Sequence, residues 1–402
     1  EALGLEQPLS TIVHKAPQLL AHYFGLTHPR FVLSFDKGMG KTIAYLGSLY
    51  ADCPTKVVIV CSENAKPAQR REIKRHLDRW FDRWTFVNGQ AADRKKQWAS
   101  DNDVFICTYD TLLADLGKRV KGSGIRIAPD WVDAPDTHMA FDEWHKKLRT
   151  KGSTIWKCLK GFKNRRMIFS SGSAGGKGPQ SLWAVLHLCD PVKFSGYWPY
   201  VMRHCIIEET YFGKKIKGCK DTVKWRKEVA PYILHRLKDL KDYPSKTRQA
   251  LEVEMEPWQK RAHNLLKKEL MLVLPDGEFF ASPNVLAMTM KLRQFMICPK
   301  VISEDYGWGA GLEGILADAQ DSELTHWVIS TPFKDPIPYI EAFFNHNNLL
   351  TERLTGGDGC DADEIEKRIA RWTRNGGVMI QTIQFAESYE LPAARNMYML
   401  GY

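Results

Sequence analysis

The sequence lacks several features that would assign a chain of 402 residues to a class at once. No apolar run approaches the roughly 18 residues of a membrane span, so we expect no membrane partner. No CxxC pair occurs among the nine cysteines, and their odd number argues against a disulfide framework or a zinc site. Several cysteines stand inside apolar runs such as VVIVCS. This predicts reduced, buried thiols in a cytoplasmic protein, or a nuclear one in a eukaryotic host.

Repeats, low-complexity tracts and a signal-peptide pattern are also missing. The chain starts with Glu1 instead of Met, so we expect that the natural N-terminus lies upstream. The length predicts two domains or more. The net charge of +10 favours a polyanionic partner, of which nucleic acid is the commonest, although a merely soluble basic protein is the alternative.

Short apolar runs rich in β-branched residues alternate with helix-length polar segments, which predicts parallel sheets covered by helices. Residues 201–310 have few such runs and are predicted to form helical protrusions and a linker. A first lobe is therefore expected over 1–200 and a second over 311–402. The predicted strands are 31–35, 56–61, 103–108, 138–142 and 166–171 in the first lobe, and 326–331, 349–355, 377–382 and 396–401 in the second.

A phosphate-binding loop is predicted between the first strand and the following helix. Gly38 and Gly40 would let backbone N–H groups face phosphate oxygens, Lys41 would reach the β and γ oxygens, and Thr42 would offer a hydroxyl to Mg²⁺. The pattern G-x-x-x-x-G-K-[ST] is not met, because its first glycine would fall at Phe35. The alternative is a surface turn.

A second motif, DEWH, begins at the last residue of the predicted strand 138–142. Asp142 would hold Mg²⁺, Glu143 would polarise the attacking water, and His145 would lie where it can sense the γ-phosphate. An isolated Asp-Glu pair usually belongs to a solvated loop. On a strand of the same sheet as a phosphate loop, it predicts a catalytic site formed by Lys41, Asp142 and Glu143.

Several stretches, in order, resemble the motifs of a superfamily 2 helicase-like ATPase of the Swi/Snf-related branch. SFDKGMGKT is similar to Ala-Asp-Glu-Met-Gly-Leu-Gly-Lys-Thr, with Ser34 at the leading Ala, and DEWH stands at Asp-Glu-x-His. VAPYILHRLKDL resembles Arg-Arg-x-Lys with His235 at the first Arg, and MKLRQFMICP resembles a helical segment of this branch. The resemblance covers nearly the whole chain. It implies an α/β fold of two RecA-like parallel-sheet lobes with helical protrusions between them, in a compact form compatible with a viral or bacterial source.

The same resemblance implies the cofactors ATP and Mg²⁺. Gln18, within HKAPQLLAHYF, is implied as the adenine reader. IFSSGSAGG resembles the family's Leu-Thr-Gly-Thr-Pro segment, so Ser171, Gly172 and Ser173 are implied to couple the ATP site to a DNA site. The sixth motif, a Gln followed by Arg-x-x-Arg, has no match, and we expect it past Tyr402.

DNA is the partner that the resemblance implies. Helicase-like lobes hold the phosphate backbone at strand ends through hydroxyls, amides and basic residues, with little base specificity. The expected contact residues are Ser62, Thr108, Thr331 and Thr382. For any single basic residue a solvated helix face is the alternative.

The leading hypothesis is a DNA-dependent ATPase motor that moves on duplex DNA. A strand-separating helicase or the motor of a restriction system is the alternative among enzymes. A catalytically silent DNA-binding or interaction protein that keeps the fold is the alternative from another class. Protein partners are not indicated by the sequence.

Overall fold

A computed structural model describes most of the chain, and its contacts divide the chain into two compact units, Glu1–Pro244 and Ser245–Tyr402. Each unit has its own parallel sheet and hydrophobic core. The division differs from the predicted boundaries at 200 and 310, because part of the predicted protrusion region belongs to the first unit. The described residues are 16–50, 53–76, 83–119, 122–123, 125–149, 151–172, 178–211, 213–237, 247–269, 271–281, 284–355, 362–383, 389, 391 and 393–401.

The first unit is built around a seven-stranded sheet in which every pair of neighbouring strands is parallel. The described strands of the whole unit are β1 (Arg30–Phe35), β2 (Lys56–Cys61), β3 (Trp84–Phe86), β4 (Val104–Thr108), β5 (Lys118–Arg119), β6 (Gly122–Ser123), β7 (Thr137–Asp142), β8 (Met167–Ser170), β9 (Cys205–Thr210), β10 (Gly213–Cys219) and β11 (Ile233–Arg236). The order in the large sheet is β11-β1-β8-β7-β2-β4-β3. The carboxyl ends of these seven strands therefore lie along one edge.

Helices cover both faces of this sheet. Alternate residues of β2 pack into two separate cores: Val58 and Val60 face one cluster, and Val57 and Ile59 face the other. Burial on both faces explains why these strands are continuous apolar runs. The described helices of this unit are α1 (Ala16–Thr27), α2 (Lys41–Tyr50), α3 (Lys66–His76), α4 (Ala91–Trp98), α5 (Tyr109–Asp115), α6 (Thr154–Leu159), α7 (Trp183–Cys189), α8 (Tyr197–His204) and α9 (Thr222–Val229).

The region after residue 200 contains more strands than the sequence predicts. β9 and β10 form an antiparallel hairpin, and β11 joins the large sheet beside β1. The predominantly helical prediction is wrong for these segments. Most of their side chains are exposed and several are charged, as at the Glu208–Lys215 pair, so they lack the apolar pattern that indicates a buried strand.

The second unit has a four-stranded parallel sheet, with order β15-β16-β14-β17, and a separate hairpin of β12 and β13. All four strands predicted for the second lobe are present. The described elements of this unit are α10 (Pro257–Glu269), β12 (Met271–Val273), β13 (Phe279–Ala281), α11 (Val285–Ile297), α12 (Ala310–Asp321), β14 (His326–Thr331), α13 (Ile337–His346), β15 (Thr351–Leu354), α14 (Ala362–Asn375), β16 (Gly377–Thr382) and β17 (Asn396–Met399).

The two parallel sheets confirm the predicted α/β class. The five strands predicted for the first lobe correspond to β1, β2, β4, β7 and β8. None of the eight cysteines within the described ranges forms a disulfide. None of the helices in those ranges is long and apolar enough to cross a membrane.

Candidate nucleotide site in the first unit

The predicted phosphate loop connects β1 to α2. The strand ends at Phe35 and the helix begins at Lys41. Gly38 and Gly40 have φ angles of 78° and 73°, in the left-handed region that favours glycine. The chain therefore turns sharply from a buried strand into a helix N-terminus, where free N–H groups and the helix dipole attract an anion.

Gln18 lies against this loop from α1. Its Nε2 donates a hydrogen bond to the Met39 carbonyl oxygen at 3.3 Å, and its side chain is buried. A Cβ at Gly40 would overlap the same amide nitrogen. The structure thus places the predicted adenine reader beside the phosphate loop.

The predicted acidic pair lies at the same edge of the sheet. β7 ends at Asp142, and Glu143 follows with φ 48° and ψ 45°, a left-handed conformation that is uncommon for a residue with a Cβ. The Lys41 Nζ is 3.9 Å from the Glu143 Oε1, and the His145 Nδ1 is 3.1 Å from the Glu143 Oε2. Two motifs that lie far apart in sequence therefore meet at Glu143.

The two carboxyl groups have opposite pKa shifts. Desolvation raises the pKa of Asp142 to about 6, and the charge of Glu143 adds to this rise while Lys41 opposes it. Burial also acts to raise the pKa of Glu143. The hydrogen bond from His145 and the charge of Lys41 outweigh burial, so the pKa of Glu143 lies below its ordinary value. Glu143 is therefore a carboxylate at neutral pH.

The predicted coupling segment follows β8, which lies between β1 and β7 in the sheet. The His145 Nδ1 is 2.7 Å from the Ser171 Oγ. Because a Glu143 carboxylate oxygen lies beside the same nitrogen, the Nδ1–H form of the ring fits both neighbours. A Cβ at Gly172 would lie 3.2 Å from the Lys41 Nζ, so this glycine leaves room for the lysine. Ser173 lies outside the described residues.

Hard oxygen donors suited to Mg²⁺ flank the loop. They are the hydroxyl of Thr42, in the first turn of α2, and the carboxylate of Asp142. Within the ranges that the structure describes, no group of three or more His, Cys, Asp or Glu could hold a metal ion. The oxygen donors of Thr42 and Asp142 nevertheless fit Mg²⁺, because this ion takes one or two protein ligands and completes its shell with phosphate oxygens and water.

Two further side chains in this site were not predicted. The Gln69 Nε2 donates to the Asp142 Oδ2 at 3.1 Å, and the Tyr109 hydroxyl donates to the Asp142 carbonyl oxygen at 2.9 Å. Gln69 lies on α3 within the polar run AQRREIK, which indicates a solvated helix face. Only the packing of α3 against the strand ends shows that this glutamine is buried.

The residues predicted to contact DNA all lie at or next to the ends of parallel strands. Ser62 follows β2. Thr108 ends β4, where its Oγ1 caps α5 by accepting a hydrogen bond from the Thr111 N–H at 3.0 Å. Thr331 and Thr382 are paired neighbours at the ends of β14 and β16, and both are buried. Their contacts with DNA remain predictions.

A parallel sheet with a glycine loop at one strand end and an Asp-Glu pair at a nearby one defines a phosphate-loop nucleotide-binding fold. The sequence also matches the family described as the SNF2-related domain over residues 27–301. The chain therefore belongs to the SNF2-related family, and the resemblance stated from its motifs is confirmed.

Individual relatives are distant. Human chromodomain-helicase-DNA-binding protein 1 is 23% identical over 309 residues, which cover 71% of this chain and 16% of that protein. The CHD3-type chromatin-remodeling factor CHR7 of Arabidopsis thaliana is 24% identical over 359 residues, which cover 81% of this chain and 27% of that protein. The chain thus spans a minor part of the length of these relatives.

Among solved structures, the Sulfolobus solfataricus SWI2/SNF2 ATPase core in complex with dsDNA is similar to this chain. The TM-score is 0.48 and the sequence identity is 17%, with coverage of 94% of this chain and 80% of that one. The structure described as the SWI2/SNF2 ATPase core domain of the same organism has a TM-score of 0.43 and 16% identity, with coverage of 94% of this chain and 78% of that one.

Proposed function

We propose that this protein is an ATP-dependent DNA translocase, a DNA-stimulated ATPase that moves along duplex DNA. The observation that carries the proposal is the meeting of three strand ends at one group of side chains. Lys41 follows β1, Glu143 follows β7 and Ser171 follows β8, and Glu143 lies within 4 Å of both Lys41 and His145.

The roles follow from the chemistry of each group. Lys41 would bind the β and γ oxygens of ATP, and the N-terminus of α2 would add backbone N–H donors. Thr42 and Asp142 would hold Mg²⁺, which supplies charge neutralisation to the phosphates when bound. Glu143, as a carboxylate, would orient the attacking water and accept its proton. His145 contacts both Glu143 and Ser171, so it would transmit a change at the ATP site to Ser171.

DNA as the partner is supported by charge and by the family. The net charge of +10 favours a polyanion, and strand-end hydroxyls such as Ser62 and Thr108 suit backbone contacts. The name of the human relative describes a helicase-type, DNA-binding protein. Backbone contacts predict binding that weakens steeply as salt rises and depends little on base sequence.

ATP turnover with and without duplex DNA tests this proposal in the full chain. We expect turnover that DNA stimulates, and loss of turnover in Lys41→Ala. Lys163→Ala is the matched control, because Lys163 is an exposed lysine just before β8, at the opposite edge of the same sheet. Turnover that is independent of DNA, or that survives Lys41→Ala, would contradict the proposal. DNA binding without any turnover would favour a catalytically silent protein.

A further inference from the structure

A chain of four polar side chains runs through the buried base of the nucleotide site. The Tyr45 hydroxyl lies near the Thr42 side chain, one turn earlier on α2, and donates to the Gln69 Oε1 at 2.5 Å. The Gln69 Nε2 then donates to the Asp142 Oδ2 at 3.1 Å. The relative exposure of Tyr45 is 0% and that of Gln69 is 2%, so water does not replace these contacts.

The hydrogen bonds of this chain have a single direction. An amide oxygen only accepts, so the Tyr45 proton is committed to Gln69, and the Tyr45 oxygen is left to accept from Thr42. The Thr42 oxygen then keeps its lone pairs for a cation. At the other end, the amide nitrogen of Gln69 occupies one oxygen of Asp142, which directs the other oxygen away from Gln69. The amide orientation is fixed because only one of its two flips satisfies both neighbours.

The two ends of this series of side chains, Thr42 and Asp142, are the groups that fit Mg²⁺. Thr42 lies on α2 and Asp142 ends β7, so they belong to different elements of the sheet edge. Gln69, on α3, is the side chain that connects them through Tyr45. Outer groups that orient metal ligands in this way tune metal affinity without touching the metal.

We propose that Gln69 is a positioning residue that, together with Tyr45, holds Thr42 and Asp142 in the arrangement that binds Mg²⁺ with ATP. This inference rests on the proposed function, since it requires a nucleotide site that uses Mg²⁺. It assigns to α3 a role in the ATP site that the polar sequence of this helix does not suggest.

The test measures nucleotide binding separately with and without metal. Fluorescent mant-ADP is titrated into the full chain across a range of Mg²⁺ concentrations, and again in EDTA. For Gln69→Met and Tyr45→Phe we expect the Mg²⁺ concentration for half-maximal enhancement of binding to rise roughly tenfold or more, as for other outer groups of metal sites. Affinity in EDTA should be unchanged, because neither side chain contacts the nucleotide.

Gln97→Met is the matched control. The Gln97 amide also makes two hydrogen bonds, to the Asn88 N–H at 2.8 Å and the Asn88 Oδ1 at 3.4 Å, but it lies on α4 at the far side of the sheet. Its Mg²⁺ dependence should equal that of the unmodified chain. The double variant Tyr45→Phe/Gln69→Met should need little more Mg²⁺ than either single variant, because both substitutions interrupt the same series of contacts.

Two outcomes would overturn the inference. One is an unchanged Mg²⁺ requirement in both single variants. The other is equal weakening in Mg²⁺ and in EDTA, which indicates general damage to the site. Tyr45→Phe keeps the buried ring, so it answers the question if Gln69→Met fails to fold. Failure of the unmodified chain to bind nucleotide with Mg²⁺ would reject the proposed function itself, which separates the two failures.

Discussion

The His145 Nδ1 lies 2.7 Å from the Ser171 Oγ, and this contact joins the ends of β7 and β8. On its other side the same nitrogen faces Glu143 at 3.1 Å. A proton on this nitrogen interacts with both the proposed water-orienting carboxylate and the predicted coupling segment. A change in the position of Ser171 would therefore alter the surroundings of Glu143.

Ser171→Ala should reduce the stimulation of ATP turnover by DNA while basal turnover is retained. Coupling between two sites typically amounts to about 1–3 kcal/mol, so we expect stimulation to fall roughly fivefold or more. Ser170→Ala is the control, since the adjacent Ser170 is also buried but its hydroxyl has no hydrogen-bond partner among the described residues. Equal stimulation in both variants would show that the contact between His145 and Ser171 does not couple the sites.

Gly40→Ala should weaken nucleotide binding. The substitution combines a left-handed backbone with an overlap between the new Cβ and the Gln18 side chain, which must then leave its position. Gly89→Ala imposes the same backbone strain, about 1–3 kcal/mol, at φ 81°, but its Cβ meets only ordinary contacts. Mant-ATP titration should therefore show a loss of affinity for Gly40→Ala and none for Gly89→Ala. Similar affinities in the two variants would contradict the assigned role of Gln18.

Two departures from the family's motifs prove to be neighbours. Ser34 stands where the family has Ala, His235 stands where it has Arg, and the two are paired on β1 and β11 with 3.0 Å between the Ser34 Oγ and the His235 Nδ1. Ser34→Ala, His235→Arg and the double variant form a cycle. We expect a coupling of about 1 kcal/mol in the free energy of unfolding of the first unit. Additive effects, measured by denaturant titration, would mean that the contact contributes nothing.

The sequence predicts those parts of the fold in which local pattern and burial agree. β1, β2, β4, β7 and β8 are buried on both faces, so each is a continuous apolar run. The motifs that follow β1 and β7 are also visible because glycines and acids interrupt these runs.

Elements and contacts set by tertiary packing were not predictable. The hairpin of β9 and β10 is mostly exposed and carries several charged residues, and the short β11 forms an edge of the large sheet. Gln69 and the Ser34–His235 pair acquire their roles only when α3 and β11 pack against the sheet. No residue spacing in the sequence encodes those contacts.

Displacement of a triplex-forming strand from duplex DNA tests the central claim most directly. The full chain, supplied with ATP and Mg²⁺, should displace the third strand, and Glu143→Gln should bind the same nucleotide but displace none, since loss of a general base typically costs about 10²–10⁴-fold in rate. The duplex itself should remain paired. Displacement that is equal in Glu143→Gln, or separation of the duplex strands in place of triplex displacement, would contradict the account.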